Sequence, residues 1–177
     1  MRRQDLDFIL RIAERGGDVL VIGSQSILGT YSETQLPHTV WASVEADVAF
    51  LHDPDARLAD MLDGAIGELS PFHMEHGFYG QGVEVKTATL PLGWEERTVP
   101  FPGHKHARCL DPHDLVISKL IAGREKDLTF ASALIDARLI SVRALLERAR
   151  MMELESAVSE RLVNTVQGFD RGATFEL

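Results

Sequence analysis

The sequence predicts an α/β (α+β) fold, and three observations carry that expectation. Short β-branched runs alternate with amphipathic stretches through the first 110 residues. From Asp111 onward the pattern turns helical, with capping signals at the breaks. The chain has 177 residues and is 45% hydrophobic, enough for a core without covalent staples. The expected division is an α/β core over residues 1–110 and a helical C-terminal portion, 111–177, packed on it.

Leu6, Ile9, Leu10 and Ala13 recur at helical spacing near the N-terminus. "DVLVIG", Asp18 to Gly23, reads as a buried strand, followed at Gly23-Ser24 by a short turn of helix. "SVEADVAFL" is a second strand. Leu58, Met61, Leu62, Ala65, Ile66 and Leu69 then predict a helix packed on the sheet. "GVEVKTATLP", Gly82 to Pro91, alternates as a strand, and "RTVPF" pairs with it as an edge strand that tolerates Pro100. "ARCL" supplies one more. Asp111 caps a helix with Pro112 in its first turn and Gly123 near its end. Further helices follow over "EKDLTFASALIDARLI" and, capped by Ser141, over "SVRALLERARMMELESAVSERLVNTV". Leu145, Leu146, Ala149 and Met152 form a stripe that packs on the sheet or pairs two copies.

No apolar run approaches the ~20 residues that span a bilayer. The N-terminal stretch starts with two arginines, but Asp5, Asp7, Arg11 and Glu14 interrupt it, so it does not read as a signal peptide. One cysteine, Cys109, excludes an internal disulfide and reads as a buried structural thiol. A cytoplasmic location is expected. The net charge of −9 argues against indiscriminate nucleic-acid binding. His73, His76, His104 and His106 lack the spacing of a zinc site. Trp94 reads as packing over the sheet edge.

Glu45 and Asp47 carry the chemistry. Two residues apart in a strand, they share a face, with Cα atoms roughly 6.6 Å apart. Two carboxylates this close raise each other's pKa unless a cation sits between them, and magnesium suits such a pair together with waters and substrate phosphates. Gly23 permits close backbone approach to a phosphate, and Ser24 opens a helical turn with free N–H groups. An anion cradle beside a metal platform is what phosphoryl or nucleotidyl transfer requires. Lys119, Arg124, Lys126 and Asp127 surround a helix junction where the cations could neutralise phosphates; a solvated helix face is the other reading.

The Gly-Ser corner, the acid-x-acid strand, "LPLGWEERTVPF" and "CLDPHDLVISKLIAGREKDLTFASAL" together resemble the DNA polymerase beta-type nucleotidyltransferase superfamily. The resemblance covers residues ~18–135 and is closest to a small bacterial branch with abortive-infection and toxin–antitoxin members. It implies a mixed sheet flanked by helices. It also implies Gly23 and Ser24 on the triphosphate, and Glu45 and Asp47 on magnesium or manganese. Lys119, Lys126 and Asp127 then belong to the nucleotide site, with Arg124 beside them as a candidate phosphate clamp. Glu84 is the third carboxylate by position, activating the attacking hydroxyl. The first acid is Glu rather than the family's usual Asp, and the gap from Ser24 to Glu45 is long. The implied activity is transfer of a nucleoside monophosphate from a nucleoside triphosphate to an RNA end, a protein hydroxyl or a small molecule. A toxin–antitoxin role with a protein partner is implied too. The alternative is a module of the same fold that binds or regulates without catalysis.

Overall fold

Val19, Leu20 and Val21 are fully buried and form the central strand of the sheet, β1 (Val19–Val21), in the computed structural model, which describes residues 1–170. Helix α1 (Arg3–Ala13) precedes it and buries Leu6, Ile9, Leu10 and Ala13, the stripe its spacing predicts. After β1 come a 3-10 turn (Ser24–Gly29), α2 (His38–Trp41) and β2 (Glu45–Phe50). Next are α3 (Arg57–Ile66), α4 (Pro71–His76) and β3 (Tyr79–Val83). A second 3-10 turn (Val85–Thr87), α5 (Trp94–Arg97), β4 (Val99–Pro100) and β5 (Ala107–Cys109) complete the α/β part. The chain then runs through α6 (Pro112–Ala122), α7 (Glu125–Asp136), α8 (Val142–Arg150) and α9 (Ser156–Asp170). Residues 171–177 of the expected helical portion lie outside the described residues.

The five-stranded sheet has the order β3-β2-β1-β5-β4 and is mixed. β1 runs antiparallel to β2 and parallel to β5; β2 and β3 are parallel, β4 and β5 antiparallel. Residues of the later helices, among them Leu115, Leu134, Leu145 and Val166, share one apolar cluster with α1 and the sheet. Capping follows the sequence signals. Asp111 accepts from the His113 and Asp114 amides, Ser141 accepts from Ala144 N–H, and Gly123 ends α6 at a left-handed φ of 67°.

The expected strand over 82–91 ends at Val83 instead. Asp63 of α3 accepts from Gly82 N–H and from the Gln81 amide, and Glu84 turns the chain into the Val85–Thr87 helical turn. β4 therefore pairs with β5 and not with that segment, although Pro100 does lie in an outermost strand. The expected single helix after Ser141 is two, α8 and α9, packed on each other. Between them Met151 leaves the helix, and its carbonyl accepts from Leu92 N–H at 2.9 Å. α3 buries Ala59, Leu62 and Ile66, whereas Met61 and Leu69, expected on the sheet, are solvent-exposed. A Cβ on Gly82 would meet the Ala59 carbonyl oxygen at 2.1 Å, so α3 packs on β3 by the face of Ala59, Leu62 and Ile66; Met61 is on the other side of the helix, and Leu69 lies past its end at Ile66, beyond Gly67.

Asp114, fully buried on α6, joins the helical part to the rest. Arg97 Nε donates to its Oδ2 at 2.8 Å, and Arg148 Nε lies 2.9 Å from its Oδ1. Asp114→Ala strands two largely buried guanidinium groups and is expected to destabilise by about 3 kcal/mol. The measurement is a lower urea midpoint with an unchanged m-value.

Candidate functional site

β2 alternates half-buried Glu45 and Asp47 with fully buried Ala46 and Val48, so both acids project from one face. The strand's entry is fixed by Ser43. Its Oγ accepts from Glu45 N–H at 3.2 Å, and its carbonyl accepts from the amide of fully buried Gln25 at 3.1 Å. The antiparallel pairing of β1 with β2 sets Val21 opposite Val48. Ile22 N–H then donates to the Asp47 carbonyl at 3.0 Å, which brings the Gly23 corner against Asp47.

That approach explains the glycine. Gly23 has an ordinary φ of −83°, open to any residue. A Cβ there, however, would lie 1.7 Å from Asp47 Oδ2 and 2.7 Å from its Cγ. The corner and the acidic strand thus meet at one point, and a ligand on the Gly23-Ser24 backbone would lie beside the Asp47 carboxylate.

A cleft of about 1010 Å³ opens over this point. Gly23, Ser24, Glu45 and Asp47 line it from the sheet side, and Lys119, Arg124, Lys126 and Asp127 from the helices. Eight of the nine residues singled out by sequence therefore border one cavity. Glu84 does not. It ion-pairs with Lys86 at 2.7 Å, beyond the end of β3. The strand stops before it, and a longer strand would not serve: Tyr79 and Gln81 pair with Glu45 and Asp47 and share their face, so position 84 would fall on the opposite one. Gln81, an amide, stands opposite Asp47.

The helix side is organised by Asp127, which is fully buried. Lys119 Nζ donates to its Oδ1 at 3.2 Å and Arg124 Nε to its Oδ2 at 2.7 Å. Burial alone would raise the Asp127 pKa, but the hydrogen bond from Arg124 and the charge of Lys119 outweigh it and hold the acid below its usual range. Burial lowers the Lys119 pKa against the opposing pull of Asp127. Its ammonium also lies 4.8 Å from the Phe130 ring centroid. Glu125 lines the cleft, while Asp127 is the ion-pair partner of both Lys119 and Arg124.

Both strand acids have raised pKa values. For Glu45 the larger cause is burial and the next is the Asp47 charge. For Asp47 burial dominates, opposed by Lys119, Lys126 and Arg124. Desolvation thus exceeds the mutual repulsion read from spacing. Two half-buried carboxylates that resist ionisation form a donor set that a divalent cation stabilises, and magnesium needs only one or two such ligands. The pair fits that ion. Among the described residues, no group of three or more His, Cys, Asp or Glu is placed to hold a metal.

No motif marks Thr39, Ser43, Thr87, Thr89 and Ser118, which also line the cleft and carry hydroxyl groups. They come from three stretches far apart in the chain, 39–43, 87–89 and α6, which only the fold brings together. Trp94 opens α5 and packs on the core. Burial pushes the Cys109 thiol up to about 12, so it is inert. His104 is buried between Asp7 and Glu14, with its ring nitrogens 2.9 and 2.8 Å from their oxygens.

The chain matches, over residues 3–170, the model of the family described as nucleotidyltransferase of unknown function (DUF6036), and it belongs to that family. None of the curated proteins and none of the solved structures matches it.

Gly23→Ala is expected to displace the Asp47 carboxylate and to weaken manganese binding, read by titration calorimetry, about as much as Asp47→Ala does. The raised pKa of Asp47 also sets a sign for stability. Its contribution is fully present below the unfolded-state pKa of ~3.9 and is lost as pH rises through the higher folded-state value. Asp47→Asn is therefore expected to raise Tm at pH 7–8 and to leave it unchanged near pH 3, measured by thermal unfolding across that range.

Proposed function

We propose that this member of a nucleotidyltransferase family moves a nucleoside monophosphate from a nucleoside triphosphate to a hydroxyl acceptor, as in the DNA polymerase beta-type superfamily. The observation that supports the reading is the contact of Gly23 with Asp47, which puts the Gly23-Ser24 corner and the acidic strand at one point of one cleft.

Glu45 and Asp47 would hold magnesium or manganese, which supplies charge neutralisation on the phosphates and a fixed orientation for in-line displacement. The Gly23-Ser24 backbone presents N–H groups to the triphosphate. Lys119 and Arg124, pre-positioned by Asp127, and Lys126 stabilise negative charge on the departing pyrophosphate. The acceptor oxygen bonds to the α-phosphorus as the bond to the bridging oxygen breaks. Pyrophosphate leaves with that electron pair, and the hydroxyl proton passes to a carboxylate of the cleft. Glu45, less deeply set than Asp47, is the more accessible of the two. The acceptor is a protein hydroxyl, an RNA end or a small molecule, and the setting is a toxin–antitoxin or related bacterial system.

One observation favours a second reading, a nucleotide-binding or regulatory module without turnover. Glu84 lies outside the cleft and Gln81 occupies the β3 position opposite Asp47. The test incubates the full chain with each α-labelled nucleoside triphosphate, magnesium or manganese, and cell RNA, protein or metabolite fractions. Label transfer that falls at least about 100-fold in Asp47→Ala and in Glu45→Ala supports the enzyme. Metal-dependent triphosphate binding with no transfer to any fraction supports the module. Absence of both removes the proposal.

A further inference from the structure

We infer that the surface formed by α3, Leu69 and α4 docks a cationic amphipathic helix of a partner protein. The inference does not rest on the catalytic reading. Three large apolar side chains stand out here: Met61 is 67% exposed, Leu69 81% and Met74 82%. Phe8 of α1, 40% exposed, meets α4, with its ring 5.4 Å from Phe72 and 5.2 Å from His76. α4 packs on the protein through half-buried Phe72, whose ring also meets Phe78, and leaves Met74 in solvent. α3 and α4 adjoin, and the Leu69 amide bonds to His73 of α4, so these exposed apolar groups lie on neighbouring elements, a pattern that marks interaction surfaces.

Leu69 adds an independent observation. It holds a left-handed φ of 61°, a conformation in which glycine is the unstrained choice. A leucine there bears backbone strain, and its side chain is four-fifths in water, so the chain itself gains little burial from it. Strain retained without an internal contact points to a contact outside the chain.

Charge selects the partner. Asp60, Glu68 and Glu75 are exposed around the apolar groups, and none is in an ion pair among the described residues. From residue 57 to 77 the only lysine or arginine is Arg57. A second copy of the chain would set these carboxylates against their equals, and nucleic acid or anionic lipid would be repelled as well. A helix with leucine-type residues at i, i+3, i+4 and i+7 and lysine or arginine beside them matches both features.

The surface adjoins the cleft. Leu69 N–H donates to His73 Nδ1 at 3.1 Å, and the His73 ring centroid is 4.6 Å from that of Tyr79, the register partner of Glu45. Glu68 also contributes to the raised pKa of Glu45. A cation docked on Glu68 therefore relieves negative potential at the cleft.

The test uses the full chain and two labelled synthetic peptides of about fifteen residues. Both carry leucine at those helical spacings; one carries lysine elsewhere and the other glutamate. Fluorescence anisotropy is expected to show saturable binding of the lysine peptide, weakened roughly five-fold or more by Leu69→Gly and by Met74→Asp. Leu92→Ser, at an exposed leucine whose amide bonds to Met151, is expected to change it less than about two-fold. Met74→Asp adds a negative charge, so simple electrostatic attraction would tighten binding there instead. Leu69→Gly removes strain and keeps the fold, verified by an unchanged or higher Tm. Equal binding of the glutamate peptide, or wild-type affinity in either variant, overturns the inference. So does a wild-type dimer in sedimentation that Met74→Asp dissociates, which would assign the surface to a second copy.

Discussion

The contact between the Gly23 backbone and the Asp47 carboxylate is the constraint on which the site depends. It leaves no room for a side chain, and so it fixes the distance between the β1 corner and β2 at the point where both face the cleft. The antiparallel pairing of β1 with β2 makes the contact possible, because it brings the end of one strand alongside the start of the other. Ser43 and Gln25 then hold the entry to β2, so the two acids leave the sheet from a fixed base. Preorganisation of this kind is built from backbone geometry, with side chains added on top.

Much of this was legible in the sequence, and the reasons differ by element. β1 and β2 were readable because burial on both faces, or strict alternation, demands apolar residues at known positions. Asp111, Pro112, Gly123 and Ser141 were readable because helix ends need specific side chains to satisfy free backbone groups. The shared face of Glu45 and Asp47 followed from the two-residue period of a strand. Family membership agrees with the nucleotidyltransferase resemblance at that coarser level.

What failed to show in the sequence depended on long-range partners. The alternation of "GVEVKT" is real, but the strand ends where Asp63, nearly twenty residues earlier, takes the Gly82 amide. Glu84 was placed by its position in that pattern, while its facing depends on the register of β3 against β2, which no local signal sets. Met61 and Leu69 fit a helical period, yet α3 turns the face of Ala59, Leu62 and Ile66 to Gly82, and the helix ends at Ile66, before Leu69 is reached. The pairing of Lys119 and Arg124 with Asp127 needed the break at Gly123, which a period alone could suggest but not orient.

That break decides how the cations are used. In a continuous helix Lys119 and Lys126 would lie about 10.5 Å apart along one straight face. With Gly123 in the left-handed region, α6 ends and α7 begins afresh at Glu125, after an extended Arg124. The Asp127 amide donates back to the Arg124 carbonyl at 2.8 Å, and the Asp127 carboxylate turns inward to receive Lys119 from the preceding helix. A buried acid thus serves as the common anchor for two cations from two elements. Its own charge offsets theirs, so the helix wall presents basic groups to the cleft without concentrating bare positive charge in the interior. The strand wall opposite carries the reverse sign and the same burden of desolvation. A ligand that brings both a polyanion and a metal cation relieves the two walls together, whereas either alone leaves one of them unmatched.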